Sequence, residues 1–270
     1  MSGPMGGPVV VGVDGSPSSL AAVETAAWEA ERRGTGLRLT HALVWPSTHV
    51  PPGVPPWDPD GGGLRDRVNG SLTEAERRAR SVAPQVTITC DVLFGEPAAV
   101  LEIETRTASL TVVGGRRATR DGGLLRDSVA DRLTAHGRCP TLVVRGRPEP
   151  AGPVVLADDA SPALTAAAEF AFAEALGRGA DLVVLHTRAG NGRLPLGPLS
   201  SLRTKYPDVA VRPRWLRGRE GRVLVEASAD AQLVVVGARH RVRNTLPGSV
   251  GRMLLRHAHC PVAVVPSAKV

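Results

Sequence analysis

Cysteine is scarce in this 270-residue chain, which holds only Cys90, Cys139 and Cys260, none of them in a C-x-x-C spacing. A disulfide framework is therefore excluded, and a reducing compartment fits. Lysine is scarcer, with Lys205 and Lys269 alone, so the net charge of +7 rests on arginine. Apolar runs are short: VVVGV and LVVVGA fall well below the roughly 20 residues that span a bilayer, and no membrane-crossing segment is expected. The opening MSGPMGGPVVVGVDG has no cationic leader and no cleavable apolar core, so a cytoplasmic protein is expected. No G-x-S-x-G elbow, Walker loop or H-E-x-x-H occurs, which leaves no nucleophile, base and metal set for chemistry. An enzyme is not the expected reading.

What is present suffices for a folded core. Hydrophobic residues make up 42%, charged residues 22%, and the mean hydropathy is −0.03. That is too apolar for disorder, and the length fits one large domain or two small ones. Residues 1–147 carry 17 basic and 16 acidic side chains, residues 148–270 carry 16 and 10, so the second part owns the basicity. An arginine bias with many Ala, Gly and Pro also follows from a GC-rich genome, so nucleic acid is not the expected partner. Asn69-Gly70-Ser71 matters as a sequon only in a secreted protein and is read as a turn.

The chain repeats itself. VVVGVDGSPSSLAAVETAAWEAERRGTGLRLTHAL returns as VVLADDASPALTAAAEFAFAEALGRGADLVVLHTR, at a constant offset of 145 that sets Asp14 on Asp159, Ser16-Pro17 on Ser161-Pro162 and His41 on His186. Further on, SLTVVGGRR matches QLVVVGARH and RCPTLVV matches HCPVAVV. The junction RGRPEPAGP, residues 145–153, reads as a linker. The expected domains are residues 1–147 and 148–270.

Each copy alternates two periodicities. β-Branched runs at Val9–Val13, Leu37–Ala42, Val86–Val92, Leu110–Val113 and Thr141–Val144 read as strands buried on both faces. Longer Ala/Leu/Arg/Glu segments between them have helical spacing, and Ser-Pro at positions 16–17 and 161–162 places an N-cap residue before a proline at the first helical position. The expected fold class is α/β: two tandem Rossmann-like domains, each a five-stranded parallel sheet flanked by helices. Residues 45–63, with six prolines and four glycines, cannot be helix and read as a flap near the strand ends or as a solvated insertion. In the second copy this segment shrinks to about RAGNGRLPLGP.

In an open parallel sheet, ligands sit outside the carboxyl ends of the strands at the switch point. Three elements converge there in each copy: the turn holding Asp14 or Asp159, the strand end Val113-Gly114 or Val236-Gly237, and the helix start Asp127-Ser128-Val129 or Gly248-Ser249-Val250. Gly114 and Gly237 would let a ligand approach the backbone, and the helix start is an anion site.

The VVVGVDGS opening, G-x-P-A-x-x-L at Gly95–Leu101, the VVG ends of the fourth strands and the D/G-S-V…CP…LVV endings together resemble the universal stress protein family in its tandem form. The resemblance runs over nearly the whole chain. It implies a nucleotide-binding layer, with Gly12, Val13, Asp14 and Ala42 bordering adenine and ribose in the first copy. Ala157, Asp158, Asp159 and Thr187 would do so in the second. The phosphate loop would run from Gly114 to Ser128 and Val129, and from Gly237 to Gly248, Ser249 and Val250.

Both copies depart from the family's G-x2-G-x9-G-[S/T] pattern. In the first, Arg117 and Asp127 replace the second and third glycines; in the second, His240 replaces the second glycine and the loop is two residues shorter. A glycine facing phosphate serves positive φ or close approach, and an aspartate at the helix start repels phosphate unless a metal bridges them. Arg116, Arg117, Arg120 and Arg126, and Arg239, Arg241 and Arg243, could hold a triphosphate by guanidinium forks instead.

Other groupings have plainer accounts. His257, His259 and Cys260 lack a further metal ligand, and Cys139 and Cys260 read as small apolar residues at the start of a strand. His41 and His186 are expected to be satisfied by backbone. Asp158 and Asp159 point apart in an extended chain and make no acid/base dyad. Arg212, Arg214, Arg217, Arg219 and Arg222, with Trp215, read as a solvated strand edge and helix start. The leading expectation is a cytoplasmic protein that binds ATP, with magnesium, as a sensor without turning it over. Its last strands would pair as an internal pseudo-dimer, with further oligomerisation left open. The alternative is an interaction scaffold with empty pockets that binds a partner protein; slow ATP hydrolysis ranks last.

Overall fold

The computed structural model describes residues 6–44, 63–115, 128–146, 151–158, 164–186, 196–215, 218–238 and 249–267. The chain forms two compact units, Met1–Gly114 and Gly115–Val270. The first contains β1 (Val9–Gly12), α1 (Pro17–Arg33), β2 (Leu37–Leu43), α2 (Leu64–Val82), β3 (Ile88–Phe94), α3 (Pro97–Glu104) and β4 (Leu110–Gly114). Its strands lie in the order β3-β2-β1-β4, all parallel.

The second unit contains α4 (Val129–His136), β5 (Thr141–Val144), β6 (Val154–Asp158), α5 (Leu164–Arg178), β7 (Leu182–His186), α6 (Leu196–Lys205), β8 (Val211–Trp215), α7 (Glu220–Ala227), β9 (Leu233–Gly237), α8 (Ser249–His257) and β10 (Val262–Val265). The order is β5-β10-β9-β6-β7-β8, parallel except for β5, which runs antiparallel to β10 with Ala263 opposite Leu142. Each sequence copy thus contributes five strands, and the two last strands pair as their apolar edges require.

Helix α1 shows how the sequence sets the packing. Ser16 caps it, accepting a hydrogen bond from Ser19 N at 3.2 Å; Pro17 opens it and Gly34 closes it at φ 63°. Its buried stripe of Ala22, Val23, Ala26, Ala27 and Ala30 is small, which lets the helix lie close to the sheet. Glu29, fully buried, pairs with Arg32 at 2.6 Å and Arg33 at 3.2 Å. The second copy repeats this with Glu174 and Arg178 at 3.0 Å in α5.

Two expectations are corrected. Asn69, Gly70 and Ser71 lie inside α2, not in a turn, because Val68, Leu72, Ala75 and Ala79 form one buried face through them. The third strand opens at Ile88, not Val86, since the chain is still turning at Val86, whose N–H donates to Ala83 O at 3.3 Å. As an edge strand β3 is also half-exposed, with Phe94 69% accessible. Helix α2 starts at Leu64 directly after Gly63 at φ 80°. Of the expected flap, residues 45–62 lie outside the described residues.

Candidate functional site

The carboxyl ends of β1, β2 and β4 bring together Gly12, Val13, Asp14, Ala42, Val113 and Gly114. Val13 continues the strand pairing, its N–H donating to Thr40 O at 2.9 Å. The chain then turns on Gly15 at φ 77°, and Asp14 Oδ1 accepts from Ser16 N at 2.9 Å, so one carboxylate oxygen holds the turn that starts α1. The reason for two glycines is packing. A Cβ on Gly114 would stand 2.5 Å from Ser18 O in the first turn of α1, and one on Gly12 would stand 2.7 Å from Leu101 Cδ1. Gly114 therefore admits the backbone of α1 to the strand end. Arg117, Arg116, Arg120, Arg126 and Asp127 lie outside the described residues.

In the second unit the first-copy helix start is tightly closed. Ser128 Oγ accepts from Asp131 N at 3.1 Å and donates to Asp131 Oδ2 at 2.7 Å, with Val129 opening the helix. The hydroxyl and one early N–H are thus engaged, and a carboxylate occupies the first turn. Ala157 and Val236 are buried at the ends of β6 and β9, Gly237 ends β9, and Ser249 and Val250 open α8. Asp159, Thr187, Gly248, His240, Arg239, Arg241 and Arg243 lie outside the described residues.

Sequence reasoning missed a cluster at the carboxyl ends of β6, β7 and β8. His186 Nδ1 lies 2.6 Å from Asp158 Oδ2, both side chains are buried, and the imidazole stacks on Trp215 with ring centres 4.2 Å apart. His186 is held by a carboxylate, which corrects the expectation of a backbone partner. Among the described residues its buried Nε2 has no hydrogen-bond partner. The signal available was the comparison of copies: Asp158 stands where the first copy has Val13. Among the described residues no group of three or more His, Cys, Asp or Glu could hold a metal ion. Burial pushes the Cys260 thiol up to about 12, so it stays a protonated core residue.

The comparisons agree with this architecture. A profile of the universal stress protein family matches residues 5–145 and 198–266. A universal stress protein of Mycobacterium tuberculosis is 32% identical over 285 residues, covering 95% of this chain and 95% of its own. The chain belongs to the universal stress protein family. Another universal stress protein, from Mycobacterium bovis, is 33% identical over 303 residues, covering 95% of this chain and 94% of its own. The fold is also that of a universal stress protein from Archaeoglobus fulgidus, with a TM-score of 0.79 at 15% identity over 97% of each chain.

As a tandem universal stress protein the chain carries the family's helix start twice, and the two differ in charge. Aligning Ser128 with Ser249 sets Asp131 of α4 on Arg252 of α8. The first turn of α8 holds no acidic residue, whereas that of α4 holds Asp131.

Proposed function

We propose that this universal stress protein binds an adenine nucleotide, ATP with magnesium, through its second copy as a cytoplasmic, non-catalytic stress sensor. The sequence copies 1–147 and 148–270 are its functional domains. The observation that carries this reading is the reversal of sign at the helix start. Phosphate is favoured by a helix N-terminus with cationic neighbours and opposed by a carboxylate there. Arg252 supplies the favourable sign in α8, where Gly248-Ser249 keeps the end of the family pattern. Ala157, Asp159, Thr187, Val236, Gly237, Gly248, Ser249 and Val250 are its candidate contacts. In this reading magnesium accompanies the triphosphate.

The first copy supports the second reading. With Asp131 in the first turn and Ser128 spent on it, that helix start suits an empty pocket on an interaction scaffold that binds a partner protein. The two readings separate by titration calorimetry with ATP, with and without Mg²⁺, after analysis of the denatured protein for co-purified nucleotide. One site is expected; Arg252→Glu weakens it about tenfold, a change of sign close to phosphate, and Asp131→Asn leaves it unchanged. No heat at millimolar ATP refutes nucleotide binding. Turnover above buffer after repurification refutes the non-catalytic role.

A further inference from the structure

The strand register places three side chains in a row at the carboxyl ends of the second unit's strands. Asp158 of β6 stands opposite His186 of β7, and His186 opposite Trp215 of β8. A carboxylate can only accept, so the 2.6 Å contact puts the imidazole hydrogen on Nδ1. In the neutral ring Nε2 then carries a lone pair. Trp215 covers one ring face, His186 is 3% exposed, and Nε2 meets no donor among the described residues. An acceptor fixed in tautomer and left unmatched is costly to bury, and such an atom marks a place for a ligand.

The arrangement belongs to the second copy only. In the first, Val13 follows β1 where Asp158 ends β6, and Val92 of β3 stands opposite His41 where Trp215 faces His186. The histidine is repeated, while its carboxylate and its aromatic cover are not. Among the described residues His41 also leaves Nδ1, the nitrogen that Asp158 engages in His186, without a partner.

We infer that His186, oriented by Asp158, is the hydrogen-bond acceptor for an N–H or O–H group of a nucleoside, and that it makes the second copy selective for ligands carrying that donor. The inference rests on the nucleotide reading and adds to it the side chain that selects the ligand. A lone pair repels the oxygens of ionised phosphate and welcomes an amino or hydroxyl hydrogen. That polarity agrees with the placement of base and sugar at the β6–β7 edge that the family resemblance implies. Two groups of an adenine nucleotide share this chemistry, the base amine and the sugar hydroxyls.

The test uses the full chain, with calorimetry for affinity and ¹⁵N NMR of the histidine rings for tautomer. ATP is compared with purine riboside triphosphate, which lacks the amine, and with 2′-deoxy-ATP and 3′-deoxy-ATP. One analogue is expected to bind about tenfold more weakly than ATP, identifying the donor. His186→Gln and His186→Phe should abolish that discrimination, and His41→Phe should preserve it. Asp158→Asn, whose amide can donate to Nδ1, should move the ring hydrogen to Nε2 and weaken ATP; a moved tautomer with unchanged ATP affinity would show Asp158 to be merely structural and overturn the inference. In the native chain ATP should shift the His186 Nε2 resonance. If the His186 variants bind ATP and every analogue as the native chain does, and Nε2 does not respond, the inference falls while nucleotide binding stands. If the native chain binds no ATP, both fall.

Discussion

Arg145, one residue beyond β5, donates from Nη1 to the carbonyl of Leu254 in α8 at 3.0 Å, across 109 residues of chain. Its Nη2 donates to Arg256 O at 2.6 Å. The guanidinium fork thus meets the last-turn carbonyls of α8, where the helix dipole favours a cation. The relationship runs one way, because Pro266 stands after β10 where Arg145 stands after β5.

Removing the fork should weaken the second unit. Arg145→Met keeps much of the packed stem and loses two charge-assisted hydrogen bonds, at a cost of about 2–3 kcal/mol. Arg145→Lys restores the charge without the fork and should recover less than half. Urea unfolding midpoints read both; a Met variant as stable as the native chain would show the contact to be idle.

Two glycine substitutions should act in opposite directions. At Gly114 a methyl group would stand 2.5 Å from Ser18 O, so α1 must move and Gly114→Ala should destabilise by about 1–3 kcal/mol. Gly70 sits inside α2, where an added methyl group would meet nothing within 4 Å, and Gly70→Ala should stabilise by about 0.5–1 kcal/mol. Thermal unfolding of the two variants, side by side, checks the pair.

The contrast between those glycines shows what the sequence could tell. Internal repetition and the alternation of β-branched and helical runs predict the strands and helices and the Ser16-Pro17 helix start, which depend on local pattern, whereas the pairing of Thr141–Val144 with Val262–Val265 is expected from the family resemblance and from two apolar edges that need cover. Gly114 reads as leaving room for a ligand at the backbone; that Ser18 packs against it was not legible, since it depends on how α1 crosses the strand end. The Asp158–His186 contact was hidden because the two residues are 28 apart in sequence and meet only through parallel register. Asn69-Gly70-Ser71 misled because turn-forming residues sit in a helix whose buried face is supplied by their neighbours.

The thiols should react unequally. Cys90 is exposed on β3, while Cys139 and Cys260 are buried, and Cys260 is held protonated by its surroundings. A thiolate is the reactive form. Ellman's reagent should titrate one thiol in the native protein and three in denaturant. Cys90→Ser should remove the native reaction; fast labelling of two or more native thiols would contradict the burial of the strand-start cysteines.

Acid should loosen α2 through Glu74. Arg77 donates to its carboxylate through Nε and Nη2, each at 2.8 Å, and Arg78 through Nε at 2.9 Å, which together hold its pKa at about 2. Arg78 also reaches Glu24 of α1 at 2.9 Å, so the carboxylate organises a bridge between two helices. A lowered folded-state pKa stabilises above the unfolded value of about 4.3, and that stabilisation fades as pH falls towards 2. Glu74→Gln cannot take part in this titration. The native chain should melt above the variant at pH 6, by a small margin because the cluster is solvent-exposed and screened, and the margin should close by pH 2. A margin that stays constant from pH 6 to pH 2 would mean that Glu74 stabilises by packing and not by charge.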